Sequence, residues 1–166
     1  MSKRALGKTG LTVSPLVFGG NVFGWTADKK RSFELLDRFT DAGLESLDTA
    51  DMYSTWAPGN QGGESETIIG EWMNSRGNRD HVIVITKVGL EMPPGNKGLS
   101  AAWIERAVED SLRRLQTDYI DLYFSHICDE AAPIAETLEA YQRLIQAGKA
   151  RAIGASNHSV EQLAAA

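Results

Sequence analysis

Polar side chains close every short apolar run of this chain. Gly20-Asn21 follow Leu16–Gly19, Asp48 ends Leu44–Asp48, Lys87 ends Val82–Lys87, His126 ends Tyr119–His126, and Ser156-Asn157 end or follow Ala150–Ser156. If those runs are strands of one parallel structure, the polar ends converge on one face and build one pocket. Taken singly, Asp48 reads equally well as a helix cap, Lys87 as a solvated charge and Tyr53 as a packed aromatic. Metal chemistry would draw on His126, Cys128 and Asp129 with Asp48 and Asp51, but no H-x-H, C-x-x-C or H-E-x-x-H spacing is present, and no metal is expected. Phosphate-cradling turns also fail. A G-x-G-x-x-G match starting at Gly19 requires glycine where Asn21 stands, although Gly24 fits, and a P-loop ending at Gly7-Lys8-Thr9 requires glycine where Ser2 stands.

The elements that must position these groups follow from periodicity. Arg4 to Val13 holds two β-like runs around Gly7-Lys8-Thr9-Gly10 and reads as a hairpin ahead of the main architecture. Phe33, Leu36 and Phe39 recur at helical spacing over Arg31–Ala42, which meets Gly43. Ile68, Ile69, Trp72 and Met73 stripe Glu64–Arg76, which meets Gly77. Ser100 caps a longer helix bearing Trp103, Ile104, Ala107, Val108, Leu112 and Leu115. Ile134–Ala147 turns Leu138, Tyr141, Leu144 and Ile145 inward, and Ser159 begins another helix. Helices alternating with five apolar runs, all read as buried strands, call for a parallel sheet covered by helices, either a barrel or a doubly wound sheet. With no repeat and no linker, residues 1–166 read as a single domain, in which Pro93-Pro94-Gly95-Asn96 is a loop between strand and helix.

A formal charge of −5 spread along the chain leaves no basic footprint for nucleic acid or an anionic membrane. No apolar run is long enough to span a bilayer, and Met1-Ser2-Lys3-Arg4 leads into no apolar leader, so a cytoplasmic protein is expected. The lone Cys128 cannot form an internal disulfide and is expected to be buried.

Asp48-Thr49-Ala50-Asp51-Met52-Tyr53, Thr86-Lys87, Asp121 to His126 and Gly154-Ala155-Ser156-Asn157 resemble successive signatures of the aldo-keto reductases, in family order. Gly63-Glu64-Ser65-Glu66 and Leu112-Arg113-Arg114-Leu115 also resemble family segments. The resemblance implies a (β/α)8 TIM-type barrel, here the N-terminal hairpin and about five βα units. It also implies reduction of an aldehyde or ketone to an alcohol with NADPH, by a tetrad of Asp48, Tyr53, Lys87 and His126. Hydride transfer builds negative charge on the carbonyl oxygen, which calls for a proton donor and an electrostatic stabiliser. Tyr53 would be that donor. A free tyrosine has a pKa of about 10, and a neighbouring ammonium favours the phenolate. Lys87 would supply the ammonium, Asp48 would hold it, and His126 would orient the substrate oxygen. Gly20, Asn21, Asp48, Ser156 and Asn157 would contact the cofactor, the last two through its carboxamide. Asn21, Phe23, Trp25 and Trp56 fall on loops at the expected pocket mouth, while His81 and His158 read as structural or surface groups.

A barrel of this type takes about 250 residues. The expectation is therefore an incomplete barrel with impaired turnover and an open edge that invites self-association. The alternative is a non-catalytic binding subunit, because the cytoplasmic β-subunits of voltage-gated potassium channels resemble the same family. Retention of all four tetrad residue types favours the enzyme.

Overall fold

The computed structural model describes residues 2–166; Met1, first residue of the expected single unit, lies outside them. A two-stranded antiparallel hairpin, β1 (Arg4–Ala5) and β2 (Thr12–Val13), precedes a parallel sheet of β3 (Val17–Gly19), β4 (Ser46–Asp48), β5 (Ile83–Val88), β6 (Ile120–Ser125) and β7 (Ala150–Ala155). Helices α1 (Lys29–Asp41), α2 (Glu64–Arg76), α3 (Ala101–Leu115) and α4 (Ile134–Gln146) connect these strands, and α5 (Val160–Ala165) follows β7.

Every neighbouring pair in the sheet is parallel, and the spatial order β3-β4-β5-β6-β7 is the chain order. A doubly wound sheet would show a switch point where that order reverses. There is none, so each right-handed crossover lays its helix on the same face of the sheet and the strands form an arc of a barrel wall.

Alternation along each strand divides the two faces. Leu47, Val84, Val88 and Tyr123 point to the helices and join Leu36, Ile69, Trp72, Ile104, Val108, Leu115 and Tyr141 in the main core. Ile85, Leu122 and Ala152 point to the concave side, where Leu11 from the hairpin covers them. Ser14 fastens the hairpin beneath the sheet, its backbone N–H donating to the Ser46 hydroxyl at 3.1 Å. Asp48, Lys87 and His126 share the parity of this concave face.

The helix limits follow local chemistry. Asp28 and Ser100 cap α1 and α3 by accepting from the backbone N–H groups of Arg31 and Trp103, and Gly77 ends α2 in the left-handed region at φ 61°. Ser159 and Gln162 form a capping box at α5.

Three expectations need correction. β3 is exposed rather than buried, and β7 is only partly buried, because each lies at a sheet edge with one strand neighbour. Ile145 points outward on α4, at 41% exposure, and Thr137 and Ala140 take the inward positions instead. Cys128 is half-buried on the loop after β6, beside a cavity rather than inside the core.

Candidate active site

Lys87 is the hub of the concave face. Its Nζ donates to Asp48 Oδ2 at 2.8 Å, to the backbone oxygen of Thr49 at 2.7 Å and to the Tyr53 hydroxyl at 3.2 Å. Three acceptors satisfy the three protons of an ammonium, so the charge is fixed in place although the residue is only 7% exposed. Strand register delivers the pieces: β4 pairs with β5 so that Asp48 lies opposite Ile85, and Thr49 N extends the ladder to the Ile85 oxygen at 2.8 Å. Burial pushes the Asp48 carboxyl above its ordinary value, and the Lys87 ammonium pulls against that shift.

Tyr53 stands over this ion pair on the loop between β4 and α2, its ring centroid 4.8 Å from Lys87 Nζ. It meets the His126 ring edge to face at 5.8 Å and the Trp56 ring at 5.6 Å, and Trp56 in turn meets Trp25 at 6.0 Å. Both tryptophans are about half exposed, as a pocket mouth requires. Phe23 does not join them: it is fully buried against Phe18 in the main core, a correction forced by the tight Gly20–Val22 turn that folds it under the sheet.

His126 follows β6, with its backbone N–H bonded to the Val88 oxygen at 2.8 Å. Burial, reinforced by the Lys87 charge, lowers its pKa to about 4, so the imidazole is neutral at pH 7. Its Nδ1 is buried without a protein partner. Asn157 adopts a positive φ of 55° and donates its amide to the His126 oxygen at 2.8 Å and to the Ser156 hydroxyl at 3.0 Å. The structure thus brings Asp48, Tyr53, Lys87 and His126 together and ties Ser156-Asn157 to the backbone of His126. Asn21 is exposed at the end of β3. Gly20 is buried, and its lack of a side chain serves packing: a Cβ there would stand 2.9 Å from both the Asp48 backbone carbonyl oxygen and Ser65 Oγ.

For a nicotinamide group, the fit rests on Ser156 and Asn157. With the amide nitrogen of Asn157 committed to His126, its amide oxygen remains as an acceptor and the Ser156 hydroxyl as a donor, the complement of a carboxamide. Among the described residues, no three His, Cys, Asp or Glu side chains gather into a group able to hold a metal ion, and no helix is long and apolar enough to cross a membrane.

Behind the tetrad lies a buried polar layer with no signal in the periodicity. Glu66 accepts from Thr86 Oγ1 and from Arg114 Nε, both at 2.6 Å, and is fully buried. Asp51 is also fully buried, with neither carboxyl oxygen partnered. Burial, and then the nearby Glu66 charge, push its pKa well above the ordinary carboxylate value. The only sequence cue was the resemblance of the 63–66 and 112–115 segments to family motifs.

The model of the Aldo/keto reductase family matches residues 15–166. Aldo-keto reductase YhdN of Bacillus subtilis is 39% identical over 170 residues, covering 98% of this chain and 49% of that protein. An aryl-alcohol dehydrogenase [NADP(+)] of Phanerodontia chrysosporium is 38% identical over 167 residues, covering 89% of this chain and 42% of its own. Among solved structures, aldo-keto reductase AKR11C1 from Bacillus halodurans in its holo form superposes with a TM-score of 0.83 at 40% identity, over 95% of this chain and 50% of that one. The chain spans about half the length of these relatives.

Proposed function

Since the chain belongs to the aldo/keto reductase family, we propose that its five βα units carry the proton-transfer side of an NADPH-dependent reduction of aldehydes or ketones to alcohols. The observation that carries this reading is the Lys87 ammonium held between Asp48 at 2.8 Å and the Tyr53 hydroxyl at 3.2 Å. When bound, the reduced nicotinamide supplies a hydride to the carbonyl carbon. The oxygen then gains charge, and Tyr53 gives it a proton, closing the alcohol and leaving a tyrosinate beside the ammonium until solvent returns the proton. The neutral state of His126 supports this division of labour: an imidazole with a pKa of about 4 is not charged at pH 7 and would orient the carbonyl oxygen by a hydrogen bond, leaving the proton to Tyr53. Asp48 keeps the ammonium aimed. Ser156 and Asn157 would hold the carboxamide, and Trp25 and Trp56 favour a flat, apolar substituent on the carbonyl. The cofactor choice draws on the NADP(+) of the Phanerodontia relative.

The test is NADPH binding by fluorescence and NADPH-linked reduction of an aromatic aldehyde. It uses the chain alone and the chain mixed with the C-terminal half of the Bacillus halodurans relative. Binding with turnover in the mixture is the expected result; binding without turnover of any aldehyde or ketone would favour a non-catalytic sensor of the cofactor.

A further inference from the structure

Three of the four residues Gly63–Glu66 at the start of α2 hold Tyr53, Thr49 and Thr86, which surround or flank Lys87. The backbone N–H groups of Gly63 and Ser65 both donate to the Tyr53 backbone carbonyl oxygen, at 3.0 and 3.4 Å. The Ser65 hydroxyl accepts from Thr49 Oγ1 at 2.8 Å and donates to the Gly20 oxygen at 2.8 Å. Thr49 is the residue whose carbonyl receives the Lys87 ammonium at 2.7 Å. Glu66 takes the Thr86 hydroxyl at 2.6 Å, and Thr86 is the residue that precedes Lys87 on β5. Strand alternation explains the arrangement: Asp48 and Lys87 face the pocket, so Thr49 and Thr86 face α2. Glu64 folds back onto the Gln61 and Gly62 N–H groups, at 2.7 and 3.0 Å, which fixes the approach of the helix.

Thr49, Ser65, Glu66 and Thr86 are all fully buried. In a low-dielectric interior such bonds hold their partners to one geometry, because the alternative is an unsatisfied polar group. Arg114 from α3 adds an ion pair to Glu66, so the carboxylate is anchored from the side opposite Thr86.

We infer that Ser65 and Glu66 are positioning residues that clamp the two strands around Lys87: Ser65 fixes the Thr49 carbonyl that accepts its ammonium, and Glu66 fixes the strand segment that carries it. The inference rests on the reading of Lys87 as the ammonium beside the proton donor, yet it concerns the geometry of that lysine alone. A purely structural role for the two residues would lower stability and leave the Lys87 ammonium of the folded protein unchanged.

The Lys87 ammonium of the isotope-labelled 166-residue chain can be followed by nitrogen-detected exchange of its protons with water. Ser65→Ala and Thr86→Val are expected to speed that exchange about fivefold, the equivalent of one lost hydrogen bond. The hydroxyl-preserving Ser65→Thr and Thr86→Ser are expected to stay within about twofold of wild type, by the same scale. Should Ser65→Ala fail to fold, the double change Thr49→Val with Ser65→Ala removes both hydroxyls at once, orphans neither of them, and is expected to show the same acceleration. Folded variants lacking the hydroxyl but exchanging at the wild-type rate would overturn the inference. NADPH binding is scored separately, so a chain with clamp-dependent exchange and no cofactor affinity would count against the reductase reading alone.

Discussion

The hydroxyl of Tyr53 lies 3.2 Å from Lys87 Nζ, which also donates to the Asp48 carboxylate at 2.8 Å. A cation so placed has one effect on chemistry and another on stability. Replacing it by an apolar chain of similar length separates them. Lys87→Met should abolish carbonyl reduction and also destabilise the fold by about 1–3 kcal/mol, because Asp48 and the Thr49 carbonyl lose their donor. Adding Asp48→Asn should recover part of that stability and none of the turnover. Urea unfolding of wild type and the two variants measures the effect on stability, and NADPH oxidation the effect on chemistry.

His126 gives the fold a pH dependence of definite sign. Its pKa falls from an unfolded value of about 6.5 to about 4 in the folded protein. Above the unfolded value both states are neutral and the residue is silent. As pH drops through that value, the unfolded chain takes up a proton the folded one refuses, so stability falls until about pH 4 and then levels. The loss is at most about 3 kcal/mol. Urea midpoints of wild type and His126→Asn should therefore agree in slope above pH 7 and diverge towards pH 5, with wild type losing more. Parallel curves would contradict the neutral, buried imidazole.

Asp51 has the opposite sign. A carboxyl whose pKa is raised by burial costs stability once the unfolded chain ionises, so its penalty grows as pH rises above the ordinary carboxylate range. Asp51→Asn is expected to stabilise the protein at pH 7, and the gain should shrink towards pH 4. Thermal unfolding at the two pH values measures it.

Gly70 reverses a common expectation. Alanine in place of glycine inside a helix ordinarily gains roughly 0.5–1 kcal/mol. Here a Cβ would stand 2.2 Å from the Arg114 oxygen and 2.6 Å from the Leu115 carbonyl carbon, both backbone atoms of α3. Gly70→Ala should destabilise by about 2 kcal/mol or more, since α2 must lift off α3.

What could be read in advance divides along physical lines. Periodicity and caps are local, so α2 came out as Glu64–Arg76 and α3 as starting after Ser100, in agreement with the structure. The polar strand ends marked Asp48, Lys87 and His126 for the same reason. Strand order is not local: alternation of helix and strand left barrel and doubly wound sheet both open, and the sequential pairing from β3 to β7 settles it. The bonds of Ser65 to Thr49 and of Glu66 to Thr86 and Arg114 join residues 16 to 48 apart and obey no period, so only the folded chain reveals them. Ile145 and Phe23 failed for a related reason, since hydrophobicity alone does not say which side of a helix stripe or which side of a turn a residue will take.

As proposed, Tyr53 hands a proton to a carbonyl oxygen beside Lys87. The most direct measurement is NADPH-linked reduction of an aromatic aldehyde by the complemented barrel, wild type against Tyr53→Phe, with cofactor affinity determined on the same samples. Turnover should fall by about 10²–10⁴-fold while NADPH binds with unchanged affinity. Turnover in the phenylalanine variant equal to that of wild type would contradict the proposal.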